Sequence, residues 1–313
     1  MKNTIKSLLF VSLFGFLSGA QAENYTIGTG SQSGTYYPYG GVLAQIWSEN
    51  LPDFNMRVEV TAASVENTIK VVQDKQLVGL AMGDVVIQAQ EGSKPFPRPL
   101  DVAVLTALYP NVVQFVVMAD SDIHSLRDLA SKTVSLGAPG SGTRVSAKSI
   151  LAALGVDEKR MKVQSLNFSA TTEALANGQI DAGVFVGSAG LGAISELALT
   201  RDIRVLNFSQ DDLATIQKAL PAYQSVSVDQ GVYNGVERFT APAVWNVLVV
   251  NQRLNDELAY NMTRLIFENA SKITNALSVA KYTTLDNMNQ LSAVPLHPGA
   301  QKYLLEQRNK QAE

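Results

Sequence analysis

The 313-residue sequence has no cysteine and only two histidines. Without cysteine the chain has neither a disulfide framework nor a thiol for lipid attachment. The two histidines, His124 and His297, stand far apart in the sequence and away from any recognisable nucleophile, and so few potential ligands argue against a zinc site. No EF-hand loop is present, which leaves only a magnesium or calcium site of scattered carboxylates as an open metal alternative. We therefore expect no metal and no cofactor.

A surplus of basic residues is also missing. The 25 lysines and arginines are outnumbered by 28 aspartates and glutamates, which gives a formal net charge of −3. No basic cluster with interleaved aromatic residues occurs, so the composition argues against a nucleic-acid partner. Beyond the N-terminal segment no stretch approaches the ~20 apolar residues of a membrane-spanning helix, and we expect the mature chain not to span a membrane.

The start of the chain has the pattern of a secretory signal peptide. Lys2 and Lys6 precede the apolar run LLFVSLFGFLSGA, which ends at Ala20-Gln21-Ala22. A charged segment, a short apolar segment and an A-x-A site predict cleavage of residues 1–22 and a mature chain that begins near Glu23. Together with the lack of cysteine, this bacterial type of signal predicts a periplasmic location.

Hydrophobic periodicity predicts strands and helices that alternate in two successive runs. The first run includes the strands YTIGTG, MRVEVTA and LVGLAM, each followed by a helical pattern. It ends in two expected strands, DVAVLTALY and VVQFVVMA, separated at Pro110-Asn111. The second run ends at the helix DDLATIQKAL, and residues 221–238 are expected to form an irregular connection back to the first run. This alternation is typical of an α/β fold, and the repeated layout predicts two lobes with a cleft between them.

The glycine-rich stretch LGAPGSGTRVSAKSIL, residues 136–151, joins a predicted strand to a predicted helix. Such a turn lets the backbone approach a ligand and leaves the first helical N–H groups free to bind an anion. Gly142 is followed by Thr143 and Arg144 rather than by lysine, so the turn is not a Walker A loop. We interpret it as a carboxylate-binding turn, and a plain turn with a serine or threonine helix cap is the alternative.

Ligands of parallel sheets bind at the carboxyl ends of strands, and the loops at those ends are expected to face the cleft. They are residues 30–37, 63–67, 83–84, 109–111, 137–143 and 185–190. Most of these loops are rich in glycine, serine or threonine and open a helix. Several helix N-termini should therefore converge on one volume and hold an organic anion without a dedicated arginine or lysine.

Five side chains near these loops have both a binding and a structural interpretation. Tyr36 and Tyr109 suit a semi-polar ligand pocket but equally suit core packing. Asp84 either caps the next helix or receives a ligand ammonium group, which would make the ligand an amino acid. Asn67 either donates to a ligand oxygen or lies in a first helical turn. Arg144 either pairs with a second ligand carboxylate or is solvated on a helix flank.

Enzyme motifs are not matched. The loop GTGSQSG has the spacing GxGxxxG rather than GxGxxG, and the following strand MRVEVTA lacks the terminal acid that would hold a ribose. Ser141 and Ser188 lie in glycine-rich turns, but neither stands in a GxSxG motif. We therefore do not expect an enzyme. A periplasmic hydrolase or transferase that uses the same cleft remains as the alternative from another class.

Five segments follow one another in a specific order: GTGSQSGTYYPYGG, TAASVENT, ALYPNVV, GAPGSGTR and VWNVLVVN. Together they resemble the TAXI family, the extracytoplasmic solute receptors of TRAP (tripartite ATP-independent periplasmic) transporters. The resemblance covers essentially the whole mature chain and implies a type II periplasmic-binding-protein fold, with two α/β lobes around a ligand cleft. We accordingly expect lobe 1 at residues 23–112 and 228–313 and lobe 2 at residues 113–227.

The resemblance also implies a function. Similar proteins capture small organic acids, glutamate and related dicarboxylates among them, and deliver them to membrane-embedded permease subunits driven by an ion gradient. The ligand contacts carried over by motif, with Asp84 added on the charge argument above, are Ser31, Thr35, Tyr36, Ser64, Asn67, Asp84, Tyr109, Gly140, Ser141, Gly142, Thr143, Phe185 and Ser188. Met82-Gly83 stand where the family would have glutamine or a similar polar residue, which leaves the ligand open. A receptor for a neutral amino acid and a sensory ligand-binding module are the alternatives.

Overall fold

The computed structural model describes residues 23–312, and the expected signal peptide lies outside them. The described part of the chain forms strands and helices in alternation. The strands are β1 (Glu23–Gly28), β2 (Phe54–Glu59), β3 (Leu77–Met82), β4 (Val102–Met118), β5 (Thr133–Ser135), β6 (Lys162–Gln164), β7 (Ala182–Gly187), β8 (Ile203–Val205), β9 (Tyr223–Val228) and β10 (Phe239–Asn251). The α-helices are α1 (Tyr36–Asn50), α2 (Ser64–Gln73), α3 (Gly83–Glu91), α4 (Gly142–Ala153), α5 (Phe168–Ala176), α6 (Gly192–Thr200), α7 (Gln210–Ala219), α8 (Asp256–Glu268), α9 (Ala270–Ala276) and α10 (Pro298–Ala312). The α/β class expected from the sequence is confirmed.

These strands form one mixed sheet in the order β2-β1-β3-β10-β4-β7-β5-β6, with β8 beside β4 and β9 beside β10. Strands β1–β3 pair in parallel, as do β5–β7. Strands β4 and β10 are antiparallel to each other and to their other partners. We call β1–β3 with α1–α3 and α8–α10 lobe 1, and β5–β9 with α4–α7 lobe 2. The residue boundaries proposed for the lobes stay a prediction.

Two crossing strands, β4 and β10, join the lobes. They pair along most of their length, from Val102 opposite Asn251 to Val112 opposite Ala243. The predicted break at Pro110-Asn111 is therefore wrong, because β4 continues through it. Pro110 lies opposite Trp245, next to a register shift in the ladder, and a proline without an N–H is tolerated at such an irregularity.

The connection at residues 221–238 is also more regular than predicted. Its first part forms β9, in which Tyr223 lies opposite Val244 and Val228 opposite Phe239 of β10. The strand has buried ends and a mostly exposed middle, so it lacks the alternation that reveals a strand from sequence. Its pairing with a distant strand decides its conformation.

Each lobe has an apolar core, and the core of lobe 2 continues across the lobe boundary into α3. Buried Tyr39, Leu43 and Trp47 of α1 belong to the core of lobe 1, whereas Phe115 and Phe185 belong to the core of lobe 2. Strand β3, LVGLAM, is buried along its whole length because both faces of the sheet are covered there. Within the described residues, no helix combines the length and apolar character needed to cross a bilayer.

Candidate functional site

A cavity of about 290 Å³ lies between the lobes. It is lined by the loops that follow β1, β2, β5 and β6, and by the ends of β3 and β7 with one residue of β4. The lining residues are Gly30, Ser31, Gln32, Gly34, Thr35, Tyr36, Val60, Thr61, Ala62, Ala63, Ser64, Met82, Asn111, Gly137, Ala138, Ser141, Gly142, Thr143, Leu166, Asn167, Phe168, Ser169, Val186 and Gly187. Strand carboxyl ends from both lobes therefore meet at one volume, as parallel sheets predict.

Four helices begin at this cavity. The first residues of α1 and α2 line it from lobe 1, and those of α4 and α5 line it from lobe 2. The first N–H groups of an α-helix have no partner within the helix and carry the positive end of its dipole. The cavity thus has an electropositive lining built from backbone groups.

The start of α4 shows how the sequence builds this lining. The Ser141 hydroxyl donates to the Ala138 carbonyl at 2.7 Å and accepts from the Arg144 N–H at 3.1 Å, so it serves as the helix cap. Gly137 and Gly140 adopt φ values of +98° and +78°, which glycine tolerates without strain. The N–H groups of Gly142 and Thr143 lie within the first turn and are left for a ligand.

The cavity lining formed by the described residues carries no side-chain charge. Among residues 23–312, no aspartate, glutamate, lysine, arginine or histidine lines it. Arg144 lies outside the lining, where its guanidinium donates to the Ser165 hydroxyl at 2.7 Å and to the Gly137 carbonyl at 3.5 Å. Any charge on a ligand would therefore interact with backbone dipoles and neutral side chains.

A network of neutral side chains closes the cavity beside Tyr36. The phenol of Tyr36 donates to Asn246 Oδ1, and Asn111 Nδ2 donates to the same oxygen at 2.7 Å. Asn246 Nδ2 in turn donates to the Tyr109 carbonyl at 3.1 Å, which fixes the orientation of that amide because a carbonyl only accepts. Burial raises the pKa of Tyr36, so its phenol stays neutral.

The lobes also contact each other directly at the cavity. The hydroxyls of Ser33 and Ser169 are hydrogen-bonded at 3.1 Å, and those of Thr35 and Ser188 at 2.9 Å. Ser33 and Thr35 precede α1 in lobe 1, whereas Ser169 lies in the first turn of α5 and Ser188 follows β7, both in lobe 2. The two lobes are therefore in a closed arrangement.

Seven of the residues predicted to contact a ligand line the cavity: Ser31, Thr35, Tyr36, Ser64, Ser141, Gly142 and Thr143. Three others lie next to the lining. Gly140 accepts from the Glu66 N–H across the cleft at 3.3 Å. Ser188 is the partner of Thr35, and Phe185 packs against the lining residue Phe168 with ring centroids 5.4 Å apart.

The remaining predicted residues, Asn67, Asp84 and Tyr109, are buried outside the lining. Asn67 bonds to backbone carbonyls, which fits its structural interpretation. Tyr109 stacks on Tyr39 with centroids 5.5 Å apart. The carboxylate of Asp84 accepts from the Val85 N–H at 2.9 Å and from a tyrosine of lobe 2, and does not reach the cavity.

Sequence reasoning missed two parts of the lining. One is the loop after β6, including Asn167 and Phe168; its strand-loop-helix pattern, LNFSATTEAL, offered the same signal as the loops that were chosen. The other is the segment at residues 60–62, just before the expected loop 63–67. Asn111 lies in the expected loop 109–111, but its hydrogen bond to Asn246 was not anticipated. A lone amide within an apolar strand signals a buried polar contact, since such a group needs hydrogen-bond partners.

Comparison with known proteins places this geometry in context. The sequence matches the model of the NMT1-like family over residues 27–307. The fold is similar to that of a periplasmic transporter, with 13% identity, a TM-score of 0.55, and coverage of 91% of this chain and 93% of the other. A chain from a study of glutathione import by GshT and the cystine ABC importer TcyBC of Streptococcus mutans is 14% identical, with a TM-score of 0.52. That match covers 88% of this chain and 98% of the other. The alkanesulfonate-binding protein SsuA of Xanthomonas axonopodis pv. citri bound to MOPS is 15% identical, with a TM-score of 0.50. That match covers 91% of this chain and 84% of the other.

At these identities the structural likeness concerns the fold, which is the two-lobed fold of periplasmic binding proteins. The family match extends from β1 into α10 and so includes both lobes and the cavity. The chain therefore belongs to the NMT1-like family.

Proposed function

We propose that this protein is the solute-binding component of a membrane transporter and captures a small organic acid in the cavity between its lobes. The observation that carries the proposal is the convergence of four helix N-termini on one interlobe volume. Each N-terminus contributes ~0.3–1 kcal/mol toward a negative group at an exposed site, and more when it is partly buried.

The chemistry of the lining favours an acid over an amine. An ammonium group would need a carboxylate partner, and within the described chain no acidic side chain lines the cavity. Asp84, the candidate for that role, is bonded to Tyr223 instead. A receptor for a neutral amino acid consequently has less support than a receptor for a dicarboxylate.

A dicarboxylate matches the two-sided distribution of helix starts. One carboxylate would accept from the N–H groups of Gly142 and Thr143 in lobe 2, and the other would face the starts of α1 and α2 in lobe 1. Met82, Phe168 and Val186 supply apolar surface for the carbon chain between them. Of the ligands that the family resemblance implies, the lining therefore favours a dicarboxylate without an amino group over glutamate.

Binding would favour the closed form because the ligand contacts both lobes only when they meet. A ligand shifts such an equilibrium by its differential affinity for the two states. The closed shape would then be recognised by the membrane permease. No bond-making chemistry is needed, and among the described lining residues there is no histidine that could act as a base for a serine nucleophile.

For the transporter class we propose a TRAP system and, with the expected signal peptide, a periplasmic location. The five-segment resemblance to the TAXI family supports this choice. One structural relative comes from a study of the cystine ABC importer TcyBC, but a shared fold at this identity does not decide between transporter classes. Ligand identity and permease partner are therefore tested separately.

The first test is a thermal-shift screen of the mature protein against dicarboxylates, their 2-amino counterparts, other amino acids and sugars. A ligand at 100 times its dissociation constant should raise the free energy of unfolding by ~2.7 kcal/mol. We expect dicarboxylates to raise the melting temperature more than the matched amino acids do. A melting temperature that no organic acid changes would contradict the proposed ligand class.

Thr143→Val tests the site itself. Valine keeps the shape of threonine and removes only the hydroxyl of this lining residue, so we expect affinity for the acid found in the screen to fall about tenfold. Thr215→Val on α7, far from the lining, is the matched control and should bind like the unmodified protein. Calorimetric titration measures both. Equal affinities for the two variants would remove Thr143 from the site.

A further inference from the structure

Asp84 is at the centre of a buried polar cluster that the proposed ligand site does not use. Its Oδ2 accepts from the Tyr223 hydroxyl at 2.6 Å and lies 3.4 Å from the Ser146 hydroxyl, which is placed to donate. Tyr223 and Ser146 are themselves 2.7 Å apart. Asp84 is 7% exposed, Tyr223 3% and Ser146 0%, so water has little access to any of them.

The cluster connects the two lobes. Asp84 lies in the first turn of α3 in lobe 1, whereas Ser146 lies on α4 and Tyr223 begins β9, both in lobe 2. Ser146 follows Thr143 by about one helical turn, so the same helix presents one end to the ligand cavity and its next turn to Asp84. A change in the Asp84 contact would therefore shift the lining formed by α4.

In the part of the chain that the structure describes, neutral groups surround Asp84. The groups that face it are the hydroxyls of Tyr223 on β9 and Ser146 on α4, the N–H of Val85 on its own helix, and the more distant phenol of Tyr36 on α1. Within residues 23–312, no lysine, arginine or histidine forms an ion pair with it. Burial raises the pKa of the Asp84 carboxyl, and the surrounding donors offset only part of that effect.

We propose that Asp84, Tyr223 and Ser146 form a proton-sensitive clasp that holds the two lobes in the closed arrangement and positions the start of α4. The clasp lies outside the ligand cavity, and its existence is testable without any ligand. Its influence on ligand capture rests on the proposed function.

The direction of the pH effect follows from linkage. Opening the lobes would return Asp84 to water and its pKa toward the ordinary value, so closing raises that pKa. The closed form is then favoured below the ordinary pKa, and this preference is lost as the pH rises through the raised pKa. A more alkaline solution should therefore increase the open population.

The lack of cysteine allows a direct measurement. Gln45→Cys on α1 and Glu173→Cys on α5, both exposed positions in opposite lobes, accept a pair of spin labels. Distance distributions of the ligand-free protein over a pH series then report the closed fraction. We expect this fraction to fall about twofold or more across the raised pKa of Asp84 in the otherwise unmodified protein.

Three variants decide the assignment. Asp84→Asn keeps a neutral, hydrogen-bonding side chain and should hold the closed fraction constant with pH. Tyr223→Phe removes the bridging hydroxyl and should lower the closed fraction at every pH, and circular dichroism verifies that it folds. Asp74→Asn, at an exposed position of the same lobe, is the matched control and should titrate like the unmodified protein.

A pH response that survives in Asp84→Asn, a distribution left unchanged by Tyr223→Phe, or a double-labelled protein that shows no pH response would each overturn the clasp. Ligand titrations at the ends of the pH series form a separate arm. If no organic acid binds, the proposed function is wrong, but the spin-label distances of the ligand-free protein still test the clasp. If acids bind with an affinity that changes neither with pH nor with Asp84→Asn, the clasp has no role in ligand capture, and that part of the proposal is overturned.

Discussion

Asn67 illustrates how one buried side chain organises the loops beside the cavity. Its two amide N–H groups are shared among the carbonyl oxygens of Gly28, Thr29 and Leu80, which lie 3.0, 2.8 and 2.8 Å from the nitrogen. Its oxygen accepts from the Thr61 hydroxyl at 2.7 Å. The Asn67 side chain is fully buried, so water cannot take over these hydrogen bonds if the side chain is removed. Asn67 thereby ties β1, β3 and the loop before α2 together.

Replacing Asn67 tests this structural role. Asn67→Leu has a similar volume but removes all of these hydrogen bonds from a fully buried position, so we expect the free energy of unfolding to fall by about 2–4 kcal/mol. Asn289→Leu, at an exposed position, is the control and should change it by less than about 0.5 kcal/mol. Urea denaturation monitored by circular dichroism measures both. A stable Asn67→Leu variant that has lost ligand binding would instead favour direct contact with the ligand.

At the scale of elements, the start of α4 meets lobe 1 at Gly142. A Cβ atom added there would lie 2.6 Å from the Ser64 hydroxyl oxygen and would also collide with the end of Met82. The Ser64 oxygen cannot move freely, because it accepts from the Met82 N–H at 3.1 Å. Glycine at this position therefore permits the close approach of α4 and α2.

Gly142→Ala should separate stability from binding. Alanine favours the helix by up to about 1 kcal/mol over glycine, so the free energy of unfolding should hold or rise. Closure becomes obstructed, and we expect affinity for an organic acid to fall about tenfold. Gly192→Ala is the matched control, because Gly192 also begins a helix but its added Cβ would lie 3.4 Å from the Ser33 carbonyl oxygen, an ordinary contact. Similar losses in both variants would contradict the steric explanation.

The strands and helices differ in how well the sequence alone predicts them. Local patterns predicted the alternation of strands and helices and the glycine-rich turn that opens α4, because periodicity and turn chemistry depend on neighbouring residues. They failed at Pro110, which β4 passes through opposite Trp245, and at β9, which is defined by its pairing with β10. The environment of Asp84 shows the same limit: its partner Tyr223 is distant in sequence, and only the folded sheet brings the two together.

At the scale of the whole molecule, β4 and β10 are the segments about which the lobes can move. Both run through the boundary between the lobes, and their ladder is irregular beside Trp245. Hinges are short segments that absorb dihedral changes while packed bodies move as units. Trp245 is half-buried at this crossing, whereas Trp47 is fully buried in the core of lobe 1. The chain's two tryptophans thus sample the hinge and a lobe interior separately.

This placement predicts which tryptophan senses closure. Ligand binding should change the intrinsic fluorescence of the unmodified protein, because lobe rotation alters the surroundings of Trp245 and leaves the interior of lobe 1 intact. Trp245→Phe retains only Trp47, whose indole N–H donates to the Met262 carbonyl at 3.1 Å within that lobe, and the signal should disappear. Calorimetry on the same variant must still detect ligand binding. This control distinguishes the loss of the fluorescent residue from the loss of ligand binding. A fluorescence change that persists in Trp245→Phe would mean that closure deforms lobe 1 itself, and the rigid-lobe description would then be wrong.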